Sequence, residues 1–520
     1  MSDTFFITTA IDYTNAAPHI GHAYEKILAD VIARYRRQLG RDVFFLTGVD
    51  QHGQKVQQSA ERERIEPQVF ADRVTKKFLD LWKRLGISYD GWAATTDPLH
   101  KKVVQQILTD LKERSWLYKD TYKGYYSVRQ EQFLTDKERG PDGEFGQEWG
   151  EVVFLEEENW YFRLSKCSEW LAAFLEKQSD FVMPDFRQTE LKNAAVRITG
   201  DLCVSRPKSR LAWGIEFPFD PDFVTYVWFD ALINYISFAG YGTEREKFDM
   251  RWNSTSNALH VIGKDILIPA HGVYWPCMLH AMDFTDEQMP KLLVHGFWSL
   301  KGEKVSKSTG NVVDPVELAA TYGVTALRYY LMRDAATGYD ADFNEERLIQ
   351  RHNTELGNGL GNLVNRTLSM THKYREGRPN KSSSSDEDLR NHIVLNLESL
   401  KIYVKFMNEA QIQSAIEVMV GVVNRANALV DSAAPWKLAK DPEQADRLDA
   451  VLAVLILSAQ TAATMLLPIA PDAATEILRQ LQLQAVPLSD DINLFWLPSG
   501  YICGEPTPVF PRLELPVSEE

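Results

Sequence analysis

The chain has 520 residues, more than one ordinary hydrophobic core accommodates, so about two to four domains are expected. Hydrophobic residues at 44% and charged residues at 25% exclude a disordered or fibrous chain, and the formal net charge of −15 excludes a broad basic surface, though not a confined basic track. Cys167, Cys203, Cys277 and Cys503 lie far apart with no C-x-x-C pair, which points to neither a disulfide scaffold nor structural zinc and fits a reducing cytoplasm.

The N-terminus lacks the basic region and apolar block of an export signal, so a cytoplasmic location is expected. Phe5-Phe6-Ile7-Thr8-Thr9 is aromatic and β-branched and predicts a buried strand. From Ala23 the apolar positions Ala23, Ile27 and Val31, with Leu28, Ile32 and Tyr35, recur at helical spacing until Gly40, and Val43 to Thr47 predicts the next strand. Strand, helix and strand in this order form a βαβ unit, and the fold class is α/β with a doubly wound, Rossmann-type parallel sheet.

Between about Tyr118 and Trp160 the pattern breaks into short strand-like runs rich in Gly, Glu and Tyr, as an insertion into that sheet would. Apolar strands return near Phe223–Trp228 and His260–Ile262. From about Asn344 the chain reads as helical, interrupted at Ser382–Ser385 by a solvated loop. The apolar stretch Val451 to Ala470 has the length of a membrane span, but Ser458, Gln460, Thr461 and Thr464 interrupt it, and a buried bundle helix is expected instead. Beyond Gly500 a Pro-rich tail is expected to wrap the surface.

Two motifs carry chemistry. Pro18-His19-Ile20-Gly21-His22 falls where the first strand hands over to the first helix. Free backbone N–H groups and the positive dipole end favour polyphosphate there, and two imidazoles can donate to charge developing at phosphorus. Read blandly, they are a pair of capping histidines. The second motif is Gly302-Glu303-Lys304-Val305-Ser306-Lys307-Ser308-Thr309-Gly310-Asn311. Alone it reads as a mobile solvated loop; beside the first, its lysines are suited to a departing pyrophosphate.

Together these residues resemble the HIGH and KMSKS signatures of class I aminoacyl-tRNA synthetases, with Val305 where the second signature has Met. Thr8–Tyr24, Asp50-Gln51-His52-Gly53, Val227–Tyr235, Ile262–Asp265 and Trp275-Pro276 narrow the resemblance to the methionyl-tRNA synthetase family over nearly the whole chain. The resemblance implies catalytic roles for His19, His22, Lys304 and Lys307. It implies ATP contacts from Glu25, Glu216, Gly263, Asp265, His295, Ser306 and Ser308, with ATP as its Mg²⁺ complex. It implies a methionine pocket of Ile11, Tyr13, Asp50, Trp228, Ala231, Leu232, Tyr235, Ile266 and His271, with Asp50 on the ammonium and a Tyr hydroxyl and a His N–H facing the soft thioether. Asn362 and Arg366, four apart on one helix, and Trp436 in Ala434-Pro435-Trp436 match its readers of a CAU anticodon in tRNA(Met).

The implied organisation is a catalytic first half at 1–117, a connective insertion at 118–195, a catalytic second half at 196–295, a KMSKS-loop region at 296–350 and a helical anticodon-binding domain with tail at 351–520. Rival readings fit less well. A synthetase for leucine, isoleucine or valine needs room for a hydrolytic editing domain, and one for cysteine needs zinc ligands; neither is present in the sequence. A nonenzymatic descendant would not need the intact histidines and lysines, and a small nucleotidyltransferase would not explain the helical half. A monomer is expected, with no membrane contact. In many relatives the insertion is a zinc knuckle, but Thr121 to Phe162 contains no Cys and no His, so a zinc-free lobe held by its aromatic residues is expected.

Overall fold

The computed structural model describes residues 4–127, 132–134, 136–140, 142–195, 200–252, 258–300, 303–304, 313–379, 386–488 and 496–515. The buried strand Phe5–Thr9 lies between Val43–Asp50 and Ala258–Gly263, parallel to both. Outward from these run Asp12–Tyr13 and Gly91–Ala94 on one side, and Lys291–His295 and then Val182–Met183 on the other, giving seven parallel strands. The helix Ile20–Gln38 crosses behind the sheet with Ile27, Leu28, Val31 and Ile32 buried, and its expected stop at Gly40 is a left-handed turn at φ +75°.

Two expectations about strands are corrected. The insertion does not break into short runs: Leu117–Ser127 and Val152–Phe162 pair antiparallel along eleven residues each, from Leu117 opposite Phe162 to Ser127 opposite Val152. Their outer faces carry cross-strand ion pairs such as Lys123–Glu156 at 2.9 Å and Lys119–Glu158 at 2.8 Å, and this polar face hides the strand period in the sequence. The expected strand Phe223–Trp228 ends earlier. Asp220–Thr225 joins a small separate antiparallel sheet with Ser205–Pro207 and Glu216–Phe217, and Trp228 lies in the first turn of the helix Val227–Ser237.

The polypeptide also returns to the main sheet inside the range assigned to the insertion, since Val182–Met183 pairs with Leu292 and Leu293. Aromatic burial in the lobe is uneven. Phe162 is buried at its base and Tyr126 on one face of its far end, whereas Tyr125 and Phe154 at that end are 38% and 56% exposed, and the Arg139 guanidinium lies 4.7 Å from the Tyr125 ring and 4.3 Å from Phe145.

The helices Glu387–Asn408, Ile412–Ala433, Ala445–Leu466 and Pro471–Leu481 form a bundle, and Ser382–Ser385 lies outside the described residues. Ala445–Leu466 is the bundle's core helix, largely apolar and buried from Leu448 onward. Its polar side chains bond locally: the Ser458 and Thr461 hydroxyls each donate to a carbonyl one turn back, at 2.8 Å. The tail lies extended against the bundle with Tyr501, Cys503 and Phe510 buried and the Pro511 carbonyl 2.9 Å from His352 Nε2.

One buried ion pair joins sheet and bundle. Arg328, on the helix Val324–Asp334, donates to Asp30 of the helix Ile20–Gln38 at 2.6 Å and to the carbonyls of Leu85, Pro468 and Ile469. Both side chains are buried, and Asp30 also accepts from Arg34 and Ser88, which with Arg328 hold its carboxyl below the usual range. Removing one partner strands the other charge in the interior. Arg328→Ala is expected to cost about 3–5 kcal/mol of stability in urea unfolding, and a loss below about 1 kcal/mol would contradict this role.

Candidate functional site

The helix Ile20–Gln38 begins at the carboxyl edge of the sheet, and His19 is its N-cap. The backbone N–H of Gly21 donates to His19 Nδ1 and that of His19 donates to His22 Nδ1, each at 3.1 Å. The bland and functional readings therefore meet in one geometry. An Nδ1 that accepts leaves a neutral ring's hydrogen on Nε2, so capping selects the tautomer that presents Nε2–H as a donor. The two rings lie 3.9 Å apart.

A cavity of about 300 Å³ opens over this helix start. His19, Gly21, His22, Glu25, Gly263, Asp265 and His295 line it, joined by Asp12, Gly296, Phe297 and Trp298, which the sequence reading missed. Glu25 accepts from His295 Nε2 at 3.1 Å. Gly296 has no room for a side chain, because a Cβ would stand 2.1 Å from the Tyr339 carbonyl oxygen.

A second cavity, of about 320 Å³, is lined by Ile11, Tyr13, Asp50, Trp228, Ala231, Leu232, Tyr235, Ile266 and His271. Ala10, Tyr226, Val227 and Lys55 complete it; the last carried no sequence signal beyond following the Asp50-Gln51-His52-Gly53 stretch. Ala10, Ile11, Tyr13 and Ile266 line both cavities, which therefore share a wall. Asp50 is buried, and its Oδ1 accepts from the Thr95 hydroxyl at 3.1 Å and the His52 N–H at 3.3 Å. His52 Nδ1 lies 2.9 Å from Asp230 Oδ2, and this buried pair ties the strand end bearing Asp50 to the helix bearing Trp228, Ala231, Leu232 and Tyr235.

The hydrogen expected from His271 toward a thioether is corrected. His271 Nδ1 lies 2.9 Å from the Ile266 carbonyl, which can only accept, so that nitrogen carries the hydrogen. Burial pushes the ring down to about 4, leaving Nε2 bare, and the Tyr235 hydroxyl donates to it at 2.8 Å. Both groups shape the wall by bonding each other.

Several expected residues lie elsewhere. Glu216 is corrected: it lines neither cavity, is exposed on the small sheet, and pairs with Lys208 at 2.6 Å. Lys304 ends the short strand Glu303–Lys304, which pairs with Trp298–Leu300 leading from the cavity; Ser306, Lys307 and Ser308 lie outside the described residues. In the helical half, Asn362 is exposed at the start of the helix Asn362–Arg375, and Arg366 pairs with Asp431 at 3.0 Å. Trp436 follows the helix that carries Asp431 and is 39% exposed, too open for a core tryptophan. Among the described residues no group of His, Cys, Asp and Glu is arranged to hold a metal ion.

Comparison with known proteins decides the family. The model for class I tRNA synthetases (M) matches residues 5–144 and 148–368, and the anticodon binding domain of methionyl tRNA ligase matches 379–515. The chain belongs to the methionyl-tRNA synthetase family. It is 38% identical to the methionine–tRNA ligase of Fusobacterium nucleatum over 530 aligned residues, covering 100% of this chain and 81% of that one. To the Deinococcus radiodurans enzyme it is 40% identical, covering 93% and 71%. The Mycobacterium tuberculosis methionyl-tRNA synthetase solved with methionyl-adenylate superimposes with a TM-score of 0.90 at 36% identity, covering 98% of this chain and all of that one. The chain is thus a class I ligase that attaches methionine to tRNA with ATP.

If the Tyr235–His271 bond shapes the methionine cavity, Tyr235→Phe leaves a buried ring nitrogen without a donor. The KM for methionine in ATP–pyrophosphate exchange is then expected to rise about tenfold, or ~1.4 kcal/mol, with the KM for ATP little changed. An unaltered methionine KM would contradict the bond's role.

Proposed function

We propose that the cavity walled by Trp228, Tyr235 and His271 takes methionine, with Asp50 on its ammonium, and that the adjoining cavity takes ATP, supplied as the Mg²⁺ complex. The shared wall of Ala10, Ile11, Tyr13 and Ile266 carries this reading, because two substrates lodged on either side of it meet at their reactive ends. The methionine carboxylate oxygen attacks the α-phosphorus in line, a new O–P bond forms, and the bond to the pyrophosphate oxygen breaks. His19 and His22 donate from Nε2 to the charge that builds on the phosphoryl oxygens, and Lys304 and Lys307, matched through the family signature, act on the departing pyrophosphate. A ribose hydroxyl of the tRNA's terminal adenosine then attacks the carbonyl of the adenylate, and AMP leaves.

In the helical half, Asn362 and Arg366 read base edges and the exposed Trp436 indole stacks on a base of the CAU anticodon. The antiparallel lobe works without zinc, because Thr121 to Phe162 offers neither thiolate nor imidazole.

Exchange assayed with all twenty amino acids is expected to respond strongly to methionine alone; a rate driven chiefly by leucine or cysteine would overturn the pocket reading. In the same preparation, Trp436→Ala should leave exchange intact and lower charging of a CAU-anticodon tRNA by roughly 5- to 150-fold in kcat/KM, the equivalent of about 1–3 kcal/mol of stacking. Normal charging by that variant would refute the anticodon assignment.

A further inference from the structure

Beneath the nucleotide cavity lies a charge cluster that neither family signature explains. Lys26 is fully buried on the helix Ile20–Gln38, one residue after Glu25. Its ammonium donates to Asp12 Oδ1 at 2.7 Å, to Glu25 Oε1 at 2.8 Å and to the Ala10 carbonyl at 2.9 Å, three acceptors for three hydrogens. The Trp82 ring, 5.6 Å away, packs over the same ammonium from the helix Pro67–Arg84. Glu25 is held from its other side by His295 Nε2 at 3.1 Å. The partners of Lys26 are not arbitrary: Ala10 belongs to the wall between the cavities, and Asp12 and Glu25 both line the nucleotide cavity.

We propose that Lys26 and Asp12 are positioning residues for ATP, the ammonium fixing Glu25 and the Ala10–Asp12 backbone at the distance the nucleotide needs. The inference rests on reading that cavity as the ATP site. Two carboxylates sharing one ammonium in a dry interior are not equivalent. Burial, only partly offset by Lys26, raises Asp12 to about 7, whereas Lys26 and His295 together outweigh burial at Glu25 and hold it below its usual value. Lys26 thus bridges Glu25 and Asp12 at nearly equal distances, 2.8 and 2.7 Å, and Asp12 serves as the anchor that stops the ammonium from swinging away. A lysine buried merely for packing would be replaceable by an apolar chain of similar length.

The test compares Lys26→Met, Asp12→Asn/Lys26→Met and Glu25→Gln in the full-length enzyme, with KM for ATP and for methionine read from exchange and stability from thermal unfolding. Lys26→Met removes the ammonium and is expected to lower the unfolding midpoint, because Asp12 loses its ammonium partner and Glu25 is left with His295 alone. The double variant replaces the anchor with its neutral isostere and is expected to regain most of that stability. In both, KM for ATP is expected to rise tenfold or more while KM for methionine changes less than twofold. A double variant that recovers both stability and normal ATP KM would overturn the proposal and leave Lys26 a packing residue. If Glu25→Gln raises ATP KM and Lys26→Met does not, the positioning role fails while the cavity assignment stands. If none of the three changes ATP KM, the nucleotide reading of the cavity fails with it.

Discussion

The helix Ile20–Gln38 starts at the carboxyl edge of the parallel sheet, and the positive end of its dipole fixes where negative charge can collect. The site is organised around that point. His19 and His22 cap the first turn through Nδ1 and thereby present Nε2–H, so the groups that satisfy the helix end are the ones proposed to meet phosphate. One turn further on, Glu25 and Lys26 face the sheet, and about one turn beyond them Asp30 takes Arg328 from the helix that leads to the bundle. At the far end, Arg36 donates to Asn408 of the bundle at 2.9 Å. A single element therefore sets the cavity proposed for the nucleotide, the floor beneath it and contacts to the helical half.

Hydrogen bonds in the methionine cavity follow the same economy. Tyr235 donates to His271, His271 donates to Ile266, and His52 holds both Asp50 and Asp230. Because Tyr235 and His271 are paired with each other, a thioether placed here as proposed would meet a shaped wall, and selection would rest on fit and polarizability. The carboxylate the cavity offers is Asp50, the group proposed to meet the ammonium of the amino acid.

Much of this was legible in the sequence because it depends on local signals. Phe5–Thr9 and Val43–Asp50 announce themselves by β-branched and aromatic runs, and the helix between them by its apolar period and the glycine at its end. Elements whose identity is set by distant partners were not legible. The long lobe strands bear charges whose partners sit across the hairpin, and the two-residue strand Val182–Met183 exists only because Leu292 and Leu293 stand beside it. Glu216 matched a family position by sequence but lies on the edge of a small sheet whose pairing no local pattern reveals. Lys26 escaped notice because a charged residue in an amphipathic helix ordinarily faces water, and Asp12 because it sits in a two-residue strand; only the fold brings Ala10, Asp12 and Glu25 around one ammonium.

The central claim is that two adjoining cavities hold the two halves of one intermediate. A non-hydrolysable methionyl-adenylate analogue tests it directly when titrated by calorimetry into the free enzyme, the methionine-saturated enzyme and the ATP-saturated enzyme. The analogue is expected to bind one to one and to compete with both substrates. Binding that displaces only one of them, or neither, would contradict the claim that the cavities form a single adenylate site.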